Sequence, residues 1–585
     1  MLPYLEAHLE RVKAACLPSH QVTKRSAWIK KNVQLGGKPF SFLGHEYQTI
    51  IADEESQVTY VRKPSQIGLT TLSFCRALAI CSMYRAVTLM YLFPSMVLSQ
   101  TLSKGSLAPI IEGSPQVFDS IFPGTDSAQV KRFLNDSFLY MRGASRKGLA
   151  ISIPVDFLVL DELDFMEDEE IATSFTSRLT HSAWKNELYL STPTSFGIGI
   201  SDKFDHSRQF QELFRCNCCN FEFFPDYFTD VVIPGFSKDI RSINYLNRSI
   251  LAQLDLSTAF LACRKCGKPV NRSAKFRHFV ALNPESRAEA VGYQLSPFSA
   301  SFISPGDLVR TATKYSRFAD FVNFSLGLPY DDEESGLSRE DLLPLFKNTG
   351  FSTPAYACFG LDTGGLCHGL FGKPDETGGF HVFSPVKVPL HAVRQQYGTL
   401  CSQNRVISTV VDSGPYTDLV LALQANDPNC WASVYVRSKR ASTELYSLKV
   451  RGEDPTKAMY DVRQITVDMN RTFDLLVALV RAGKITFEAA ELQEEIILHL
   501  TGMRRTQAID SAGEKVYVWK KPASGDDHFF HSLVYLLLSV LIKGTSIGSA
   551  VLPFLLTSFK SASQDAEIEG VVPPALVNLI NSKSR

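Results

Sequence analysis

Short apolar runs alternate with helical patterns along residues 40–205 of the chain. Five runs predict strands, at residues 57–62, 86–93, 137–141, 157–160 and 187–190. The last four are rich in Val, Leu, Phe or Tyr and lack a strict alternation, as expected where helices cover both faces of a sheet. The pattern therefore predicts a parallel α/β sheet, typical of a nucleotide-binding core.

The character of the sequence changes twice after this core. Two cysteine clusters flank aromatic and polar sequence, and a stretch with Gly, Ser and Pro precedes a second β-rich region that opens with a hairpin signal around Asp-Thr-Gly-Gly. The expected division is an N-terminal helical segment (1–39), a core (40–206), an insertion (207–280), the rest of the core (281–335), a linker (336–354), a second α/β domain (355–545) and a tail (546–585).

Composition narrows the class of protein. The 585 residues are 45% hydrophobic and 21% charged, as in ordinary multidomain globular proteins. Sixty Lys and Arg balance sixty Asp and Glu, so any surface that binds a polyanion must be a local patch. Twelve cysteines are too few for a disulfide scaffold, and residues 1–30 lack a secretory apolar run, which indicates a reducing, cytosolic compartment. The longest apolar run, Phe529 to Ile542, has 14 residues and predicts a buried helix.

The segment VTYVRKPSQIGLTT (58–71) predicts a strand, a short turn and the start of a helix. Backbone N–H groups at such a turn can bind phosphates, and the hydroxyl of Thr70 can hold Mg²⁺. The usual GxxxxGK[ST] pattern is broken, because Lys63 stands at the first glycine and Leu69 at the lysine. Lys63, five residues before Gly68, could supply the ammonium group from the other end of the loop. The alternative is a structural turn with a threonine N-cap.

A second motif, VDFLVLDELDFM (155–166), predicts a strand that ends in Asp161 and Glu162. A carboxylate at the end of a central strand can hold Mg²⁺, and an adjacent glutamate can orient the water that attacks a γ-phosphate. The next strand, LYLSTPT (188–194), ends in Ser191 and Thr192, where a phosphate sensor would lie. The order of the three motifs favours an ATPase.

Two cysteine pairs predict a metal site. Cys216 and Cys219 precede Cys263 and Cys266, with 43 residues between the pairs, and each pair is followed by Asn or Gly. Such knuckles suit one structural Zn²⁺ held by four thiolates. Cys218 is the expected bystander, although it could replace Cys216. The other possibility is unrelated buried or redox cysteines.

The second domain contains dispersed carboxylates: Asp362 and Asp412 end predicted strands, and Asp526 and Asp527 precede a helix. Carboxylates placed in this way can hold two divalent ions for ribonuclease H-like phosphodiester cleavage. Each also has a structural alternative as a turn or cap residue. The nearby basic groups are Lys520, Lys521, RSKR (437–440), Arg504 and Arg505.

Taken together, these motifs resemble the large subunit of tailed-phage terminases, especially the lambda-like branch. The likeness also includes HEYQ (45–48), LMYLFPS (89–95), FLYMRGASRKGLAIS (138–152), Asp164 and FVNFSLGLPY (321–330). It implies a P-loop-type ATPase domain with a Cys₄ zinc insertion, followed by a ribonuclease H-like nuclease domain.

The resemblance also implies residue roles. ATP and its Mg²⁺ would be bound by Gln48, Lys63, Gly68, Thr70 and Asp161, with Glu162 as the catalytic carboxylate. Ser191 and Thr192 would couple hydrolysis to motion, and two Mg²⁺ or Mn²⁺ would be held by Asp362, Asp412, Asp526 and Asp527. Ser65 replaces an arginine that many terminases have in this loop, and Arg62 is a candidate substitute.

The implied function is ATP-driven translocation of double-stranded viral DNA into a procapsid, with endonucleolytic cutting of concatemeric DNA. The implied partners are duplex DNA, a small terminase subunit, the portal protein and further copies of this chain in a ring, in the host cytoplasm. Two alternatives remain open at this point: a helicase–nuclease of a defence or repair system, and a zinc-stabilised DNA-binding scaffold with inactive catalytic sites.

Overall fold

The computed structural model describes residues 24–144, 153–167, 169–236, 240, 254–315, 317–331, 335–348, 354–374, 379–436, 446–451, 462–489, 491–510, 512–522 and 525–543. The chain divides into two units. Unit 1 contains Met1–Tyr330 and Gln507–Val516, and unit 2 contains Asp331–Thr506 and Tyr517–Arg585. The tail, the RSKR motif, and parts of the N-terminal segment and of the linker lie outside the described residues.

Unit 1 is built on a large sheet. Its strands, with two small pairs, are β1 (Gln34–Leu35), β2 (Lys38–Pro39), β3 (Val58–Arg62), β4 (Thr88–Phe93), β5 (Ile121–Asp126), β6 (Val130–Phe133), β7 (Phe138–Gly143), β8 (Phe157–Asp161), β9 (Asn186–Ser191), β10 (Arg208–Arg215), β11 (Glu222–Phe223), β12 (Val231–Val232), β13 (Phe260–Leu261), β14 (Arg277–Ala281) and β15 (Val291–Gln294). The order is β11-β10-β15-β3-β9-β8-β4-β7-β6-β5, with β14 beside β10.

The helices of unit 1 lie between these strands. They are α1 (Arg25–Asn32), α2 (Gln48–Asp53), α3 (Leu69–Met83), α4 (Met96–Leu102), α5 (Ala108–Glu112), α6 (Pro115–Phe118), α7 (Glu169–Thr176), α8 (Gly199–Asp205), α9 (Tyr227–Asp230), α10 (Pro305–Ala312) and α11 (Phe318–Asp320). Short 3₁₀ turns span Leu163–Phe165, Ser177–Leu179, Leu256–Thr258, Ala274–Phe276 and Pro297–Ser299, and π-helical turns span Ser103–Leu107 and Phe321–Leu326.

The centre of the sheet is parallel. Strands β10, β15, β3, β9, β8, β4 and β7 run in one direction, and antiparallel pairs occur only towards the edges among the described residues. The five strands predicted from the apolar runs are confirmed, with ends shifted by no more than two residues. Helix α3 is apolar on nearly every face and lies in the core, as expected for a helix that solvent does not reach. The carboxyl ends of β3, β8 and β9 therefore meet at one edge of the sheet.

The cysteine-bearing segment is part of this sheet at its two ends. Strand β10 pairs in parallel with β15, and β14 pairs with β10 in antiparallel register. The sequence predicts an insertion over residues 207–280, but its first and last strands extend the main sheet. Alternating patterns could not show this because the pairing partner β15 lies beyond the segment in sequence.

Unit 2 contains a second mixed sheet. Its strands are β16 (Phe346–Lys347), β17 (Ala357–Asp362), β18 (Leu366–Pro374), β19 (Phe380–Pro389), β20 (Val406–Asp412), β21 (Cys430–Val436), β22 (Tyr446–Arg451), β23 (Val462–Asp468) and β24 (Ile485–Glu488), in the order β16-β24-β19-β18-β17-β20-β21-β23-β22. Strands β25 (Arg504–Ile509) and β26 (Lys515–Lys520) pair with each other. The predicted hairpin is confirmed as β17–β18, and β17 pairs in parallel with β20.

The helices of unit 2 are α12 (Arg339–Leu342), a 3₁₀ turn (Leu343–Leu345), α13 (Leu390–Gln403), α14 (Thr417–Asn426), α15 (Met469–Arg481), α16 (Gln493–Gly502) and α17 (His528–Lys543). Helix α17 contains the longest apolar run and packs on β17, β18 and β20, so the predicted buried helix is confirmed. In the described part of the chain, no helix has the length and apolar character to cross a membrane.

Residues Gln507–Val516 fall in unit 1, although the sequence places them within the second α/β domain. Gln507 Nε2 donates a hydrogen bond of 3.3 Å to Asp320 Oδ1, and Lys515 Nζ lies 5.3 Å from the ring centroid of Phe324. These contacts join residues far apart in sequence, which is why local patterns give no sign of them.

Candidate functional site

The first candidate site lies where β3 leads into α3. Gly68 adopts a left-handed backbone (φ 78°) and precedes the helix, so the alternative of a threonine N-cap is wrong. Lys63 directly follows β3, and its Nζ lies 2.8 Å from Glu162 Oε1 and 3.9 Å from Asp161 Oδ1. The Thr70 hydroxyl donates a hydrogen bond of 2.7 Å to Asp161 Oδ2. The two predicted motifs therefore face each other across the sheet edge.

The charges of this cluster are strongly coupled. Burial lowers the pKa of Lys63, but the negative charges of Glu162 and Asp161 outweigh burial and raise the pKa above its ordinary value. Burial raises the pKa of Asp161 despite the opposing charge of Lys63. Asp161 Oδ1 and Glu162 Oε2 are buried and accept no hydrogen bond from any described residue. Two buried carboxylate oxygens without donors are suited to a cation.

The strand ends beside this cluster are tightly connected. The Lys63 amide donates to Ser191 O at 3.0 Å, and the Asp164 amide donates to Ser191 Oγ at 3.1 Å. The Asp164 carboxylate accepts hydrogen bonds from the Thr194 amide (2.9 Å) and the Ile200 amide (2.7 Å). Thr192 is buried in the same turn. The turn at Ser191 is therefore hydrogen-bonded to both Lys63 and Asp164.

Two neighbouring segments contact the loop between β3 and α3, residues 63–68. Gln48 Nε2 and the Tyr47 hydroxyl donate to Ile67 O, at 3.1 and 2.5 Å. On another side, the amide and hydroxyl of Ser65 both donate to Phe324 O, at 2.7 and 2.9 Å. The motifs HEYQ and FVNFSLGLPY thus contact the loop directly.

Arg62, the candidate substitute for a loop arginine, is held elsewhere. Its Nε donates to Gln294 Oε1, its guanidinium lies 3.7 Å from Asp205 Oδ1, and it stacks on Phe204 with 4.2 Å to the ring centroid. These partners come from β15 and α8, not from the loop between β3 and α3. The structure gives no support to Arg62 as that substitute.

The four predicted cysteines form a second site. The sulfur atoms of Cys216, Cys219, Cys263 and Cys266 all lie within 4.8 Å of one another, the only such group of three or more candidate metal ligands found among the described residues. Cys216 Sγ is 3.7 Å from Cys266 Sγ, and Cys219 Sγ is 3.6 Å from Cys263 Sγ. These distances exclude disulfides, whose S–S bond is about 2 Å.

The knuckle geometry agrees with the expectation from the sequence. Asn220 and Gly267, which follow the second cysteine of each pair, have φ values of 56° and 69°. Cys218 is exposed, lies outside the cluster, and its amide donates to Cys216 Sγ at 3.4 Å. Its role as a bystander is therefore confirmed, and the four thiols could hold one metal ion.

Carboxylates meet in unit 2 as well. Asp362 ends β17 and Asp412 ends the adjacent parallel strand β20, where Leu361 pairs with Val411. Burial and the charge of Asp362 raise the pKa of Asp412 to about 6. The two carboxylates therefore lie at the ends of neighbouring strands, where the negative charge of one acts on the other.

Asp527 joins this group through buried contacts, whereas Asp526 is exposed beside it. Asp527 is 13% exposed at its side chain and contacts His531 Nε2 (3.2 Å) and Lys521 Nζ (3.3 Å). Burial lowers the pKa of His531, but its hydrogen bond with Asp527 and the charges of Asp527, Asp362 and Asp412 raise it above its ordinary value. The three carboxylates therefore face one imidazole. The Asp526 side chain is 68% exposed.

Several residues at these sites were missed in the sequence. The Tyr91 hydroxyl donates to Asp161 Oδ2 at 2.9 Å, and His528 Nδ1 lies 2.9 Å from Asp362 Oδ2. Tyr435 lies 3.2 Å from His531 Nδ1 through its hydroxyl. Tyr91 belongs to the motif LMYLFPS, and His528 follows Asp527 directly. Their positions beside predicted site residues could have identified them.

The basic groups predicted near the carboxylates have separate partners. Lys521 contacts Asp527, whereas Arg504 pairs with Asp331 at 3.3 Å and Arg505 with Asp474 at 3.1 Å. Among the described basic groups, these contacts place Lys521 at the carboxylate group.

Comparison with known proteins adds an independent finding. Residues 43–281 match the family model for the phage terminase large subunit gpA, ATPase domain. The chain is also similar to three solved structures. The HK97 bacteriophage large terminase is 11% identical (88% of this chain, 98% of that chain, TM-score 0.49), the large terminase from the thermophilic bacteriophage D6E is 10% identical (86% and 100%, TM-score 0.28), and the Phi-28 gp11 DNA packaging motor is 10% identical (76% and 94%, TM-score 0.28). No curated protein sequence matches the chain.

The parallel sheet and the strand-end cluster of unit 1 define an α/β ATPase domain. The family match over residues 43–281 confirms the resemblance to the large subunit of phage terminases that was found in the sequence.

Proposed function

We propose that this chain is a packaging motor and nuclease. It hydrolyses ATP to move double-stranded viral DNA into a procapsid, and it cuts concatemeric DNA. The observation that best supports the proposal is the contact of Lys63 with Asp161 and Glu162 at the edge of a parallel sheet. The motor works in the host cytoplasm as a ring of copies, with a small terminase subunit and a portal protein as partners.

ATP hydrolysis uses residues that already touch one another. Asp161 and the Thr70 hydroxyl fit Mg²⁺, since Asp161 Oδ1 is buried and lacks a donor among the described residues. Mg²⁺ held by these two residues would supply charge neutralisation for the phosphate oxygens of ATP. Phosphate oxygens take the Lys63 ammonium from Glu162, which frees that carboxylate to orient the attacking water. Leu69 at the usual lysine position is then no obstacle, because Lys63 reaches the same place from β3.

Replacing Glu162 by glutamine tests the ATPase. We expect Glu162→Gln to bind ATP but to lower kcat at least about a hundredfold, since a positioned base contributes roughly 10²–10⁴-fold. Steady-state phosphate release and nucleotide binding would be measured side by side. Glu187→Gln is the matched control, because Glu187 is a part-buried glutamate of the same sheet that bonds only Tyr189 among the described side chains. Equal turnover in both variants would refute the assignment of Glu162 and favour the inactive-scaffold alternative.

The DNA-cutting activity is assigned to Asp362, Asp412 and Asp527. The adjacent strands β17 and β20 place two of them side by side, and the start of α17 supplies the third. Burial and the nearby charge of Asp362 raise the pKa of Asp412, and two Mg²⁺ or Mn²⁺ ions would compensate the negative charge of this group. Such ions stabilise the attacking and leaving oxygens of a phosphodiester. Lys521 is suitably placed to contact a phosphate.

The metal of the four-cysteine site is proposed to be zinc. Zn–S bonds of about 2.3 Å in a tetrahedron require S···S separations of roughly 3.8 Å. The observed 3.7 and 3.6 Å agree with that value. Because no thiol is left over for substrate, the ion is structural.

Zinc content tests this site. We expect one zinc per chain in the wild-type protein, and Cys216→Ser should lose the metal and lower the melting temperature, because structural zinc contributes folding free energy of about 10–16 kcal/mol in small domains. Cys218→Ser is the matched control, since Cys218 is exposed beside the same knuckle. Metal analysis would contradict the proposal if wild type contained no zinc or if both variants retained it.

A further inference from the structure

The four-cysteine segment is unusually basic. Residues 263–281 contain no Asp or Glu, although the whole chain has as many acidic as basic residues. The basic residues in this stretch are Arg264, Lys265, Lys268, Arg272, Lys275 and Arg277. We refer to β10, β14 and the two cysteine knuckles, residues 208–223 and 260–281, as the thiol module. Because the overall charge of the chain is balanced, a polyanion could bind only at a local basic patch, and the thiol module contains such a patch.

Three of these six basic side chains stabilise the fold through contacts with neighbouring residues. Arg264 donates to both carboxylate oxygens of Asp230, at 2.7 and 2.9 Å. Arg272 donates to backbone carbonyls, including Ile303 O at 2.8 Å. Arg277 is buried and pairs with Glu46 at 3.0 Å. Their charges are compensated or their donors are used, so they do not need a ligand.

The other three cations do not pair with acids. Lys265, Lys268 and Lys275 are exposed, and none of them forms an ion pair with a residue in the described ranges. Arg215 is also exposed, and its guanidinium lies beside Lys275, with 3.5 Å to the carbonyl oxygen. None of these four cations forms an ion pair with a described residue, although Glu222 lies opposite Arg215 in the register of β10 and β11. Like charges held together on a surface repel one another unless a polyanion binds there.

The module also holds these cations in place. Lys265 lies between Cys263 and Cys266, and the Lys268 carbonyl accepts from the Cys263 amide at 2.9 Å. The two knuckles are joined where the Asn271 amide donates to Asn217 Oδ1 at 2.9 Å. A rigid module loses less conformational freedom on binding than a flexible basic tail does.

We propose that the thiol module binds duplex DNA, through contacts of Lys265, Lys268 and Lys275 with backbone phosphates. None of these lysines belongs to the ATPase cluster or the carboxylate cluster. The inference rests on the proposed function, which supplies the polyanion. Since no carboxylate or base-reading motif accompanies the lysines in residues 263–281, the contact is independent of DNA sequence. Besides its structural role, zinc would then hold the backbone of the DNA-binding lysines in position.

Salt dependence measures such contacts. Each phosphate contact contributes about 0.9 to the slope of log K against log salt for B-DNA. A variant with Lys265, Lys268 and Lys275 all changed to Gln should therefore have a slope that is less steep by roughly 2–3. It should also bind at least about tenfold more weakly at low salt. Fluorescence anisotropy of full-length protein with labelled duplex DNA, without Mg²⁺ or Mn²⁺, gives both quantities.

The matched control changes Lys30, Lys31 and Lys38 to Gln. These lysines are exposed, belong to unit 1 and form no ion pair with a described residue, so the control removes the same charge. We expect its slope to stay within about 0.5 of the wild-type slope. Zinc content and melting curves of both variants show that each is folded.

The outcomes are distinct. Equal slopes for the thiol-module variant and the wild type, or equal losses in both variants, would overturn the inference and leave the motor proposal intact. Wild-type protein that binds no duplex DNA at low salt would contradict the motor proposal itself. If poly-glutamate bound as tightly as DNA through the same lysines, the surface would belong to an acidic protein segment, and the DNA assignment would be wrong.

Discussion

Changing Lys63 to alanine should abolish ATP turnover. The ammonium group is buried against Asp161 and Glu162, 5% of the side chain being exposed, so no other described lysine can replace it at that position. Loss of one charge-assisted phosphate contact in a dry site costs on the order of 3 kcal/mol, or roughly a hundredfold in rate, and more if nucleotide binding also fails. The measurement is steady-state phosphate release with Mg²⁺ and saturating ATP.

A control must separate chemistry from folding, because removing a buried lysine leaves two carboxylates uncompensated. Lys131→Ala serves this purpose, since Lys131 is also buried in unit 1 and pairs with one carboxylate, Asp126. We expect Lys131→Ala to lose stability and to keep its ATPase. Near-wild-type turnover in Lys63→Ala would refute the early lysine as the phosphate ligand.

Changing Asp527 to alanine should stop DNA cleavage. The buried carboxylate faces the same imidazole as Asp362 and Asp412, so its loss removes a metal ligand. We expect plasmid nicking with Mn²⁺ to fall at least about a hundredfold, because the metal ions supply most of the charge stabilisation for phosphodiester cleavage. The assay is conversion of supercoiled plasmid to open-circular and linear forms.

The adjacent residue provides the matched control. Asp526 is largely exposed, and its Oδ2 lies 4.0 Å from His499 Nε2. Asp526→Ala should therefore retain cleavage within a fewfold of wild type. If instead Asp526→Ala abolished nicking while Asp527→Ala retained it, the two neighbours would have to exchange roles.

Local patterns were sufficient to predict the strand ends. Apolar runs located β3, β4, β7, β8 and β9, and parallel strands bring the residues at their carboxyl ends to one edge. The contact of Lys63 with Asp161 agrees with the order of these strand-end motifs in the sequence. The spacing of the cysteine pairs likewise predicted the cluster of four thiols.

Contacts between distant segments could not be predicted in the same way. Ser65 is held by Phe324 O, which is 259 residues away, and no periodicity links the two. Strand β10 joins the main sheet through β15, and Asp527 rather than Asp526 is turned inward at the start of α17. The inward choice depends on His531 and Lys521, whose positions follow from packing and not from local propensity.

The central claim is that one chain has two independent catalytic sites, and a crossed assay of two variants tests it most directly. Lys63→Ala and Asp412→Ala would each be measured for ATP hydrolysis and for plasmid nicking, alongside melting curves. We expect Lys63→Ala to nick DNA without hydrolysing ATP, and Asp412→Ala to hydrolyse ATP without nicking DNA. Two folded variants that each keep both activities would contradict the account.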